Sequence, residues 1–236
     1  MSIGTPFRWV FCSVLISFGF SLQASNLLIG EPALVATGNC DPFGCPGFFG
    51  LGTYQQVYAS SAFSGEVNIT GLTFYDEQVQ NGGVPASGTY TLAFSYSSNS
   101  VGDLSTVSPG ANIASVSQVF YTGALPSLAQ TTLDFAGTPF DYNPAAGDLL
   151  LTVTVSSGTN GSPTLYLDEA AALTETSNVY FGTYNGQPIS GGNDIGGLVT
   201  GFTVAVNTSV PEPGSLLLVL GGVGMFAYGW RRRRRA

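Results

Sequence analysis

Residues 89–96 read Thr-Tyr-Thr-Leu-Ala-Phe-Ser-Tyr. Every second side chain, Tyr90, Leu92, Phe94 and Tyr96, is large and apolar, and those between are small. Successive side chains of an extended strand point to opposite faces, so this spacing builds one apolar face. A helix would scatter the same residues around its circumference. The alternation returns in Leu149, Leu151, Val153 and Val155, set between Leu150, Thr152 and Thr154, and again in Phe202, Val204 and Val206. In residues 66–75 the phase slips, from Val67 and Ile69 to Leu72 and Phe74. Gly71 sits at the slip and predicts a β-bulge.

Outward from these stretches, further strands are predicted over 27–37, 53–60, 113–122, 129–136 and 179–184. Clusters of Gly, Asn, Ser and Pro separate them. The sole candidate helix between 26 and 210 is 168–173. Eight or nine strands, each with one apolar face, predict an all-β, antiparallel two-sheet sandwich, jelly-roll-like or Greek key. No fixed period recurs, which argues against a solenoid or a propeller.

Charge narrows the function. The 236 residues carry 14 Asp+Glu, 6 Lys+Arg and no His, for a net charge of −8. All six basic residues are Arg: Arg8, Arg231, Arg232, Arg233, Arg234 and Arg235. Every acid lies between Arg8 and Arg231. With no cation in that span, phosphate neutralisation is excluded, and nucleic acid is not an expected partner. The absence of His removes serine and cysteine nucleophile systems that need an imidazole base, and His-based zinc sites. No Lys is available for a Schiff base.

The N-terminus has the order of a secretory signal. A weakly positive start at Arg8 leads into the apolar run Trp9 to Leu22, then Gln23 and Ala24 offer a small residue at a cleavage point before Ser25. The run is short for a membrane span. Residues 1–24 are read as a signal peptide and 25–209 as the exported domain. Cleavage removes Cys12 and leaves Cys40 and Cys45 in the turn-rich segment Asn39-Cys-Asp-Pro-Phe-Gly-Cys-Pro46. An even count in an oxidising compartment predicts a local disulfide between them.

The C-terminus, residues 210–236, reads Val-Pro-Glu-Pro-Gly-Ser, then an apolar stretch over 216–230, then five Arg. Pro211 and Pro213 stiffen an extended spacer. The apolar stretch predicts a short transmembrane helix, extended at its end by Trp230 and snorkelling Arg stems. The Arg cluster acts as a stop-transfer signal and holds the tail on the cytoplasmic side, with the acidic domain outside.

Val210, Pro211, Glu212, Pro213 and Ser215, followed by an apolar helix and Arg231 to Arg235, resemble the PEP-CTERM sorting signal. The resemblance covers about 27 residues. It implies recognition by exosortase, a membrane-embedded transpeptidase-like enzyme, with processing near Pro-Glu-Pro and a transient stay in the inner membrane. It also implies a Gram-negative bacterium that makes exopolysaccharide, a possible partner. The segment Tyr54-Gln-Gln-Val-Tyr58, with Ser60, Ser61 and Phe63, and the segment from Asn143-Pro144 to Leu151, are similar to strands of secreted sandwich domains in other PEP-CTERM proteins.

Candidate chemistry in the domain is sparse. Glycoside hydrolysis needs two carboxylates at a set separation. Glu66, Asp76, Glu77, Asp134, Asp141, Asp148, Asp168, Glu169 and Glu175 are available, but scattered acids also keep an exported domain soluble. A glycan platform would need Tyr54, Tyr58, Tyr142 or Tyr184, and these read more readily as half-buried strand residues with a wet hydroxyl. Calcium would draw on Asp76-Glu77 or the Gly191-Gly-Asn-Asp194 loop, neither with EF-hand spacing.

The sequence is thus read as an exported, exosortase-sorted, non-catalytic β-sandwich, a structural or adhesive component of the cell surface, outer envelope or extracellular matrix. It has no expected catalytic residues, metal or cofactor. The alternatives are a carbohydrate-binding module and a glycosidase-like enzyme.

Overall fold

The computed structural model describes residues 23–30, 38–45, 52–76, 82–170, 175–184, 187–192 and 196–206. They belong to one compact unit, Gln23–Asn207. The expected signal peptide, apolar span and Arg cluster lie outside the described residues. Among the described residues no helix is long and apolar enough to cross a membrane.

Ten strands form the domain: β1 (Gln23–Ile29), β2 (Thr53–Tyr58), β3 (Val67–Tyr75), β4 (Ser87–Tyr96), β5 (Gln118–Gly123), β6 (Thr132–Tyr142), β7 (Leu149–Thr159), β8 (Thr176–Tyr184), β9 (Gln187–Gly192) and β10 (Thr200–Val206). They make a four-stranded sheet, β1-β10-β3-β6, and a six-stranded sheet, β5-β4-β7-β2-β8-β9. Every strand pair is antiparallel. Only β4–β5 and β8–β9 are chain neighbours that also pair. Most connections therefore cross between sheets, and a simple meander is excluded.

The predicted alternation decides the core. Tyr90, Leu92 and Phe94 of β4 and Leu149, Leu151 and Val153 of β7 are fully buried. They meet Leu72, Phe74, Phe135, Phe140 and Phe202 of the other sheet. Ring pairs bridge the layers: Phe94 and Phe140 at 5.3 Å, and Tyr58 and Phe202 edge-on at 4.9 Å. Such pairs add roughly 0.5–1.5 kcal/mol beyond the area they bury.

The bulge falls where Gly71 placed it. The β3–β6 register shifts between Ile69 and Gly71, and the β10–β3 register shifts between Thr203 and Val204. A Cβ on Gly71 would lie 3.0 Å from Cβ of Thr203, tighter than ordinary packing allows.

Several expectations are corrected. The first strand starts at Gln23, four residues before its predicted start, because all seven of its residues pair with β10. β5 starts at Gln118, since Pro109–Asn112 forms a 3-10 turn and Ile113 packs on the sheet surface. β6 runs on through Pro139 to Tyr142; its place at a sheet edge tolerates a residue without an N–H. β9 is also an edge strand, and Pro188 with two glycines hid its pattern. Residues 168–170 are extended, not helical: Glu169 bridges Leu198.

Residues 97–117, between β4 and β5, fold over the outer face of the six-stranded sheet. Leu104 there packs with Val57, Leu150 and Val179 in a second small core. Below it, Gln55 accepts from Asn112 Nδ2 at 2.9 Å and donates to the Pro109 carbonyl at 3.1 Å. Strand β2 is thereby buried on both faces, and its two glutamines have no access to water.

Candidate functional site

The best-defined polar locus of the domain is built around the disulfide-closed turn. Cys40 and Cys45 are bonded, with Cα atoms 5.3 Å apart. The backbone N–H groups of Gly44 and Cys45 both donate to the Cys40 carbonyl, so the chain reverses tightly. Its tip carries Phe43, fully buried, with ring centroids of Phe74 at 4.9 Å and Phe135 at 5.4 Å. The turn is thus a plug between the sheets. Gly44 is required by the close approach of the next segment: a Cβ there would lie 1.9 Å from the Leu165 carbonyl oxygen.

Two carboxyls are held beside this plug. The Asp41 N–H donates to Asn39 Oδ1 at 2.9 Å, an Asx turn that pulls its side chain inward. Burial pushes Asp41 up to about 7. Its Oδ1 lies 3.4 Å from Cys45 Sγ. A disulfide sulfur has no proton to give, so only protonated Asp41 can form a hydrogen bond there. Glu169 is also pushed up to about 7 by burial, against hydrogen bonds from Asn39 and Asn178 that favour its charged form. Burial also raises the Tyr54 phenol well above its usual value; Tyr58, Glu169 and Asp41 add to the rise. This locus can hold and release protons near neutrality.

A second polar locus is a cleft of about 340 Å³ lined by Glu66, Val67, Asp141, Tyr142 and Asn143. Its carboxylates are exposed and already engaged: Asn143 Nδ2 donates to Glu66 at 2.7 Å, and Asn68 Nδ2 to Asp141 at 2.6 Å.

The remaining acids named from sequence are distributed. Asp134 accepts from Thr73 and Thr132, and Asp148 from the Ser60 N–H. Glu175 accepts from the Gly30 N–H, and buried Asp76 from the Gly82 N–H. Among the described residues, no group of three or more His, Cys, Asp or Glu is gathered as a ligand set. Glu77, Asn193 and Asp194 lie outside the described residues.

The alternative of a tyrosine platform loses three of its four candidate members. Tyr54, Tyr58 and Tyr142 are core residues, at most 3 % exposed. Their hydroxyls are used internally: Tyr54 donates to Gln56 Oε1 at 2.6 Å, Tyr58 shares a proton with Thr200 at 2.9 Å, and Tyr142 donates to the Gly147 carbonyl at 2.7 Å. The side chain of Tyr184 lies outside the described residues. Sequence reasoning missed Asp41 and Glu169 as perturbed acids. The signal for Asp41 was its place inside a six-residue Cys-to-Cys loop; nothing local marked Glu169.

Val210, Pro211, Glu212, Pro213, Ser215 and Arg231 to Arg235 also lie outside the described residues, and there the comparison with known families is direct. Fold and chain order define the class: an all-β two-sheet domain with a C-terminal protein-sorting segment. The family profile of the PEP-CTERM protein-sorting motif matches residues 209–234. The chain therefore carries a PEP-CTERM sorting motif, which implies export across the inner membrane and processing by an exosortase. The match covers the tail alone. No curated protein and no solved structure shows a significant match to the chain.

Proposed function

We propose that this protein is an exosortase substrate whose product is a non-catalytic β-sandwich displayed outside the inner membrane, as a structural or adhesive component of the cell surface or extracellular matrix. The observation that carries the reading is the PEP-CTERM match at residues 209–234. The physical order of the tail supports it. Each Arg costs about 2.5–3.5 kcal/mol at a bilayer centre, so five in a row resist translocation. The apolar stretch before them then holds the Pro-stiffened motif just outside the bilayer, where a membrane-embedded enzyme reaches it.

The sandwich supports a passive role. Glu66, Asp134, Asp141, Asp148 and Glu175 lie on separate loops and strands and accept local hydrogen bonds. Its signal peptide, residues 1–24, completes the export route. The test is fractionation in the native host of a variant with Pro211, Glu212 and Pro213 changed to Ala. The variant should be exported and folded, and should stay full-length in the inner membrane. Processing of that variant at the wild-type rate would contradict the proposal.

A further inference from the structure

The two sheets differ in what lies outside them. Residues 97–117 cover the outer face of the six-stranded sheet. The outer face of the four-stranded sheet instead carries exposed Asp134, Ala136 and Asp141, and half-buried Asn68, Thr73 and Tyr75. The pairing places these together: Asn68 opposes Asp141, Thr73 opposes Asp134, and Tyr75 opposes Thr132.

Tyr75 leans toward the neighbouring strand. A Cβ on Gly201 would lie 2.7 Å from the Tyr75 hydroxyl and 3.5 Å from Cζ, so the phenol tip reaches over the glycine of that strand. The residue stays partly open to solvent. On the same face, Thr73 and Thr132 both donate to Asp134, at 2.7 and 2.8 Å. This fixes the carboxylate upright, with lone pairs to spare. Asn68 fixes Asp141 in the same way at 2.6 Å. From Asn68 to Thr73 the strand advances roughly 14 Å at about 3.4 Å per residue, because the bulge sets these five steps of β3 against four of β10. Between them the face carries Gly71, Ala136 and half-buried Thr70, with exposed Thr138 and Pro139 where the β3–β6 register shifts.

We propose that this track along β3 and β6 binds an uncharged linear polysaccharide, with a sugar ring stacked on Tyr75 and hydroxyls donating to Asp134 and Asp141. The occupant follows from the chemistry. The fixed carboxylates are acceptors only, so the ligand must bring donors. The span from residue 9 to residue 230 has no cation. An acidic polymer would find like charge and no counter-charge. A protein partner would need buried apolar anchors. The large exposed apolar residue of this sheet is Leu28, on strand β1, away from the track. The proposal deepens the adhesive reading of the domain and rests on it for the place where the glycan is met.

The test uses the full chain, purified in a detergent without a sugar head group, in affinity electrophoresis through gels containing hydroxyethyl cellulose, dextran or alginate. At least one of the two uncharged polymers should retard the protein, and alginate should not. Tyr75→Ala should weaken retardation roughly tenfold, the scale of one lost ring contact, Asp134→Asn should weaken it, and Tyr75→Phe should keep it. The Phe variant separates stacking from a folding defect. Retardation by alginate alone, by none of the polymers, or equally for wild type and Tyr75→Ala would overturn the proposal. Because the assay needs no processing of the tail, its failure is distinguishable from failure of the sorting reading.

Discussion

The side-chain amide of Gln56 pairs with both backbone groups of Leu198: the Leu198 N–H donates to Oε1 at 2.8 Å, and Nε2 donates to the Leu198 carbonyl at 2.8 Å. The contact spans 142 residues of sequence and is fully buried. It joins β2 of one sheet to the segment that enters β10 of the other, so Gln56 acts as a one-residue piece of strand between the layers. Tyr54 completes the arrangement by donating to the same Oε1 at 2.6 Å.

Gln56→Leu keeps the volume and removes the pairing. It leaves the Leu198 N–H and the Tyr54 hydroxyl without that buried partner, while the Leu198 carbonyl keeps the Thr200 hydroxyl at 2.8 Å. At about 1–3 kcal/mol for an orphaned buried group, the loss should be roughly 2–4 kcal/mol after relaxation. Urea unfolding followed by fluorescence would measure it as a lower midpoint at an unchanged slope.

The plug makes a second expectation. Closing a loop of about six residues limits the entropic contribution of the Cys40–Cys45 bond to about 2 kcal/mol. Phe43→Ala should cost more, about 3–5 kcal/mol, because it empties a packed ring site. The double change of Phe43 and the two cysteines should cost less than the sum, since both act through one turn. Without reductant, alkylation of the exported protein should add no mass at Cys40 or Cys45.

Asp41 and Glu169 set a pH dependence. In the unfolded chain both lose their protons near the ordinary carboxylate range, while in the folded protein burial raises both to about 7. Between roughly pH 4 and 7 the folded state therefore holds protons that the unfolded state has released, and stability falls as pH rises. Thermal melting should give a higher midpoint at pH 5.5 than at pH 8. Asp41→Asn with Glu169→Gln should flatten that difference; an unchanged slope in the double variant would refute the assignment.

The sandwich was legible where burial is one-sided. In β4 the apolar face is the core face, so alternation alone located it, and Gly71 marked the bulge. Legibility failed where burial is two-sided or the pairing partner sits far away in sequence. Tyr54 and Tyr58 share their strand with Gln55 and Gln56, two polar residues that are fully buried. Only the cover from residues 97–117 and the reach to Leu198 make that strand internal, and neither is written in local spacing. Tyr75 was passed over for the opposite reason. Its outward phase relative to Leu72 and Phe74 was visible, but its support by Gly201 depends on which strand lies beside β3. The tail needed no tertiary information, because its order of motif, apolar stretch and Arg cluster is linear.

The central claim is that the tail is a processed sorting signal. The most direct measurement is the C-terminal mass of wild-type protein recovered from the cell surface or medium of the native host. The account predicts that the terminal peptide ends near Pro211 to Pro213, with residues 216–236 absent. Recovery of surface protein that still carries Arg231 to Arg235 would contradict it and would make the tail a plain membrane anchor.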